Sequence, residues 1–195
     1  MTAIDSQFPS LEGTRCYCSA ESAEEIRHSL KSLPLHSLHR IGIGDYHYIS
    51  LFWLERIQEP FDLVLLDNHP DDQCPAFDAG MISCGGWVAM AERLPMFRRL
   101  HHIKTGGEAL PDGSAGAYIS IDTDVLSRDF ARTDWDQGRM SLEEMERIIL
   151  AIASRGRIIG ADLCGGILES QGATAEDLRI NAECAKRIES LFKDI

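Results

Sequence analysis

Short apolar segments rich in β-forming residues recur along the chain at 13 to 18, 36 to 43, 61 to 67, 98 to 103, 117 to 122 and 157 to 162. Between most of them lie stretches whose apolar residues repeat at helical spacing, so strand and helix alternate. Leu63-Val64-Leu65-Leu66 is apolar without alternation, as expected of a parallel strand covered on both faces. Ser141 with Glu144 forms a capping-box pattern, in which each side chain can satisfy an amide of the first helical turn. Met145, Ile148, Ile149 and Ile152 then make one apolar stripe. Thr174 with Asp177 marks a second helix start, continued by Leu178, Ala182, Ala185, Ile188 and Phe192. The stretch Tyr46 to Ile57 is apolar nearly all round, which suits a helix buried against the sheet. These elements predict an α/β fold, a three-layer α/β/α sandwich around a mostly parallel sheet of about six strands.

Composition narrows the picture. With 195 residues, 44% of them hydrophobic, the chain can bury one substantial core, and a single domain over 1–195 is expected. The first residues lack the charged start and apolar run of a signal peptide, and no stretch is apolar for the length of a bilayer. A soluble, cytoplasmic protein is therefore expected. None of the six cysteines forms a CxxC pair, so reduced thiols are the better reading. A formal net charge of -12 argues against nucleic acid and membrane surfaces as partners. Homo-oligomerisation is left open.

Parallel sheets bind ligands at the carboxyl ends of their strands, and acids and histidines gather there. Segment 36 to 43 leads into Gly44-Asp45-Tyr46-His47, segment 61 to 67 into Asp67-Asn68-His69-Pro70-Asp71, segment 117 to 122 into Asp122-Thr123-Asp124, and 157 to 162 into Asp162. In Asp67-x-His69-x-Asp71 and Asp122-x-Asp124, an extended backbone would turn alternate side chains to one side. Four carboxylates crowded together without cations would repel one another strongly. A cage of His47, Asp67, His69, Asp71, Asp122 and Asp124 around two divalent ions resolves that repulsion. An all oxygen and nitrogen donor set favours Mn²⁺ and leaves Zn²⁺, Ni²⁺ and Fe²⁺ open.

At these residues the chain resembles the ureohydrolase superfamily (arginase, agmatinase, formiminoglutamase), whose fold is shared by the histone deacetylases. The family's GGDH, DAHxD and SxDxD motifs correspond to Gly42-Ile43-Gly44-Asp45-Tyr46-His47, Asp67-Asn68-His69-Pro70-Asp71 and Ser120-Ile121-Asp122-Thr123-Asp124. The likeness covers about residues 40 to 170. An extra tyrosine separates Asp45 from His47. Where the family carries a glutamate that grips the guanidinium, this chain has Leu163-Cys164-Gly165-Gly166 after Asp162. Where it carries a proton-shuttling histidine, Ser83-Cys84-Gly85-Gly86-Trp87 stands. Cys84 is either functional or a small residue packed at a Gly-rich turn. His101 and His102 are alternative shuttles, or surface and packing residues.

The resemblance implies a C–N hydrolase acting on a guanidino or amidine group, free or in a peptide, through a hydroxide shared by two metal ions. Asp71, resembling the family's bridging aspartate, would take the proton and pass it to the departing amine. Trp135 could stack on a planar cation while Asp134 or Asp136 pairs with it in place of the absent glutamate. Asp45 and Asp162 are expected behind the ligands, orienting them. Two rival readings stay open: hydrolysis of an acyl amide, and a metal-binding relative without turnover.

Overall fold

The computed structural model describes residues 1–8, 11–74 and 81–195. Six strands form one parallel sheet: β1 (Ala3–Asp5), β3 (Leu38–Gly42), β4 (Phe61–Leu66), β6 (Phe97–Ile103), β7 (Gly116–Asp122) and β8 (Ile158–Cys164). Their order across the sheet is β1-β3-β8-β7-β4-β6, and every neighbouring pair runs parallel. Two short strands, β2 (Tyr17–Cys18) and β5 (Ile82–Ser83), pair antiparallel in a separate ribbon.

The layers follow from the apolar runs. Helices α1 (Ala20–Leu30), α2 (Ile49–Leu54) and α3 (Trp87–Ala91) cover one face, packing Ile26, Trp53 and Trp87 with Leu63 and Leu65 of β4. Helices α4 (Leu142–Arg155) and α5 (Ala175–Lys193) cover the other, packing Met145, Ile149 and Ile188 with Val64 and Leu66. Successive residues of a strand point to opposite faces, so β4 feeds both cores and must be apolar throughout. All of its residues are buried. The three-layer α/β/α arrangement is thus the one its sequence pattern predicts.

Particular expectations need correction. Only Tyr17–Cys18 of segment 13 to 18 is strand, and it lies outside the main sheet. The sixth strand is instead the three-residue β1, half exposed at an edge and without a run of apolar positions to announce it. The helix expected from Tyr46 to Ile57 is regular only over Ile49–Leu54, although all of those residues are buried as its composition implies. Thr174 and Asp177 form the full reciprocal capping box. Ser141 accepts the Glu144 N–H at 3.1 Å, while the Glu144 carboxylate lies against Gly106 rather than returning to the helix start. Among the described residues, no helix is long and apolar enough to cross a membrane.

Candidate metal centre

The carboxyl ends of β3, β4 and β7 converge on one cavity of about 290 Å³, lined by His47, Asp67, His69, Asp71, Asp122 and Asp124. Each strand delivers its donors through a short device. A single 3-10 turn, Gly44–Tyr46, follows β3 and carries His47 at its end, its N–H bonded to Gly44 O at 3.0 Å. The tyrosine before His47 is absorbed in that turn. Asp67 directly follows β4, and Asp122 closes β7. The chain then turns through Thr123–Val125, and Asp122 Oδ1 accepts the Asp124 N–H at 2.9 Å.

Strand alternation therefore does not bring the donors together, as the spacing suggested. An Asx-type turn bends Asp124 back toward Asp122, and Asp71 adopts a left-handed φ of 48°. For a residue other than glycine that conformation costs about 1 kcal/mol or more. It is held by the Val88 N–H, which donates to Asp71 O at 3.0 Å, and by the Trp87 indole N–H, which donates to Asp71 Oδ2 at 2.8 Å.

The donors fall into two groups. His47 Nδ1 stands 3.0 Å from Asp71 Oδ2, 3.2 Å from Asp67 Oδ2 and 3.7 Å from Asp122 Oδ2. His69 Nδ1 stands 2.8 Å from Asp124 Oδ2 and 3.7 Å from Asp67 Oδ1. Asp67 thus faces both histidines, one oxygen each, and His47-Asp67-Asp71 and Asp67-His69-Asp124 are both compact enough to hold an ion. The shared carboxylate is Asp67, whereas Asp71 sits in one group. Cys164 forms a third group with His47 and Asp122, but its thiol donates to Ile43 O at 3.3 Å beneath the cavity floor.

The electrostatics of this donor set suit cations. Burial and the neighbouring Asp124 and Asp67 charges push the Asp122 carboxyl well above its usual range, and burial lifts Asp124 to about 6. Hydrogen bonds to Asp124 and Asp67 raise His69 to about 10. Burial opposes protonation of His47, yet the Asp67 and Asp71 carboxylates raise it above the ordinary imidazole value. Protonated imidazoles would offset only part of the crowded carboxylate charge, and divalent ions would offset it more fully in their place. His47 is also aimed from behind. Its Nε2 meets Ser120 Oγ at 2.9 Å, and Ser120 Oγ donates to Asp162 Oδ1 at 2.7 Å. Because that hydroxyl spends its proton on Asp162, it must accept from Nε2–H, which leaves Nδ1 free to face the cage.

The other candidates are sorted by the same geometry. Cys84 lines the cavity, and burial foremost pushes its thiol up to about 12. Trp135 lines it too, edge-on to His69 with ring centroids 6.1 Å apart. Asp134 and Asp136 do not. Asp134 Oδ2 accepts from Gln171 Nε2, and Asp136 is exposed, with its backbone oxygen taking the Asn68 amide at 2.7 Å. His102 Nε2 meets the backbone oxygen of Asp67 at 2.9 Å, His101 is buried 3.6 Å from Asp62, and neither lines the cavity. Asp45 grips Arg15 at 2.8 Å rather than a cage residue. Within Leu163-Cys164-Gly165-Gly166, the stretch expected to hold the family's glutamate, Gly165 is closed to a side chain. It has φ of 107°, and a β-carbon there would run into Thr123 Oγ1 and come within 2.6 Å of Asp122 Oδ1. Trp87, Tyr17 and Gln73, also at the site, were not singled out from sequence; for Trp87 the Gly-Gly-Trp step was the signal.

No family model matches the chain. Over 172 residues it is 31% identical to an uncharacterized protein of Thermotoga maritima, covering 80% of this chain and 68% of that one. Its fold matches that of an arginase from Medicago truncatula with a TM-score of 0.64 at 18% identity, covering 89% of this chain and 65% of that one. It also matches a hypothetical agmatinase from Burkholderia thailandensis with a TM-score of 0.62 at 17% identity, covering 92% of this chain and 68% of that one. The chain spans less than two thirds of the length of the plant arginase.

Proposed function

This chain belongs to the same family as the Thermotoga maritima protein and has the ureohydrolase fold, and from that premise we propose that it is a binuclear metal-dependent hydrolase of guanidino or amidine C–N bonds. The observation that supports this best is Asp67, whose two oxygens face the two histidines of adjoining donor groups. In this reading His47, Asp67, Asp71 and Asp122 hold one ion, and His69, Asp124 and Asp67 hold the other, with Mn²⁺ favoured by the hard donor set. Divalent ions held by these residues would supply Lewis acidity, lowering the pKa of bound water so that a nucleophile could form near neutral pH.

The chain's own residues supply the rest. Asp71 is fixed by Trp87 and the Val88 amide at the cavity wall, where it can take the water's proton and deliver it to the departing amine. Water adds to the trigonal carbon and the C–N bond breaks, so that a guanidine gives an amine and urea and an amidine gives an amine and an amide. Trp135 offers an aromatic surface to the substrate at the cavity mouth. Cys84 lines the cavity, and burial foremost raises its thiol, which favours a neutral lining role. All six cysteines are free thiols, which suits the cytoplasmic location expected.

A second reading, hydrolysis of an acyl amide, draws support from Gly165, because that position cannot host the carboxylate that would grip a guanidinium. The two are separated by a product screen on manganese-reconstituted protein across arginine, agmatine, formiminoglutamate, guanidino acids, arginine peptides and acyl amides. Urea or ammonia from a guanidino or amidine substrate, lost in Asp71→Asn, is the expected result. Carboxylate release with no urea would favour the amide reading, and metal binding without any turnover would favour a non-catalytic relative.

A further inference from the structure

Two large aromatic side chains stand open to solvent at the cavity mouth. Tyr17, on β2, is 58% exposed and Trp135, in the loop before α4, is 42% exposed, and both line the cavity. Among the described residues the exposed large hydrophobics are five, Tyr17, Met81, Trp135, Leu150 and Leu168. Of these five, Tyr17 and Trp135 line the cavity. Exposed apolar surface concentrated beside a polar cage marks a binding surface more than chance would.

The Trp135 ring and the backbone that carries Tyr17 are held in place before any ligand arrives. Trp135 lies over Gly44, where even a β-carbon would come within 2.9 Å of its Cδ1, and its loop is tied by Thr133 Oγ1 donating to Trp135 O at 3.0 Å. Tyr17 stands opposite Ser83 in the β2–β5 ribbon, and the Cys84 N–H extends that pairing to Cys16 O at 2.9 Å. A rigid aromatic loses little conformational freedom on binding.

The charges of the cavity restrict what those rings can meet. No lysine or arginine is among the described residues lining it, and the chain carries a net charge of -12. A substrate with an anionic tail would find no cationic partner there and would be repelled by the whole protein. We infer that Tyr17 and Trp135 are specificity-determining residues that grip an uncharged aromatic group, carried by the substrate beyond its scissile C–N bond, in place of the amino-acid head of free arginine. The inference rests on the proposed hydrolysis for the identity of the scissile group, and on the rim alone for the aromatic group.

The test uses manganese-loaded protein and three guanidines of graded tail: benzylguanidine, agmatine and 4-guanidinobutanoate. Binding is read from the ligand-dependent rise in Tm, and urea is assayed in the same samples. Benzylguanidine should bind about tenfold tighter than 4-guanidinobutanoate. Tyr17→Ser and Trp135→Ala should each reduce that preference about three- to tenfold, whereas Tyr17→Phe and Trp135→Phe, which keep a ring, should retain most of it. Manganese content is measured for each variant, so that loss of preference is read only from loaded protein. Failure of benzylguanidine to bind, equal binding of all three, or a preference that survives Tyr17→Ser and Trp135→Ala would overturn the aromatic grip. Preferential binding with no urea would leave the grip standing and overturn guanidino hydrolysis instead.

Discussion

Trp87 donates its indole N–H to Asp71 Oδ2 at 2.8 Å, joining a residue that is fully buried to one whose backbone φ is 48°. The bond fixes the direction of a carboxylate that also faces His47 at 3.0 Å. Trp87→Phe keeps the ring's bulk and deletes the donor, leaving Asp71 to settle toward the cavity or turn away. We expect about a tenfold loss of manganese affinity and about 1–3 kcal/mol of stability, measured by metal titration and by urea denaturation. Unchanged affinity with lowered stability would mean that Trp87 only packs the core.

The chain from Asp162 through Ser120 to His47 sets the imidazole tautomer. Ser120→Ala and Asp162→Asn should each weaken manganese binding about tenfold or more, as other outer partners of ligating histidines do. Nuclear magnetic resonance of the ring nitrogens in zinc-loaded protein reads the tautomer directly. A proton on Nδ1 in the wild-type metal complex would contradict this arrangement.

Acidity follows from the shifts in the cage. His69, raised to about 10 in the folded metal-free protein, binds its proton more tightly than in the unfolded chain. Its contribution to stability is therefore complete below about pH 6.5 and lost as pH rises toward about 10. Metal-free Tm should fall across that interval, and the fall should be shallower in His69→Gln. Manganese affinity should rise over the same interval, since the ion displaces those protons. A metal-free Tm that holds steady or climbs, with the same slope in His69→Gln, would defeat this account.

Gly165 carries a prediction of its own. Gly165→Glu puts an acid into the Leu163–Gly166 stretch, yet φ of 107° and the clash with Thr123 and Asp122 oppose any side chain there. Gly165→Ala and Gly165→Glu should both destabilise by about 1–3 kcal/mol or more, and neither should improve binding of a guanidine. A stable Gly165→Glu protein with tighter guanidine binding would show that the loop can open.

What could be read from sequence depended on whether a residue's role was set locally. The buried run of β4 and the caps at Ser141 and Thr174 announced themselves, because apolar periodicity and capping chemistry act within a few residues. The six cage residues were legible from their place after successive strands. The path by which they meet was not, since the turn at Thr123–Val125 and the left-handed Asp71 depend on contacts from distant segments such as Trp87. Asp134 and Asp136 looked suited to a cation, but the Asp134 carboxylate is taken by Gln171 and Asp136 stands outside the cavity lining, placements that no spacing reveals. The edge strand Ala3–Asp5 was missed because three half-exposed residues carry no pattern, and its pairing with Leu38–Arg40 makes it a strand.

The central claim is that Asp67 joins two ion sites, and the metal content of manganese-reconstituted protein tests it most directly. Calorimetric titration followed by elemental analysis after gel filtration should find two ions per wild-type chain, with fewer in both Asp122→Ala and His69→Ala and no hydrolysis by either. A wild-type chain that retains no ion, or variants that keep the full complement or stay active without metal, would contradict it.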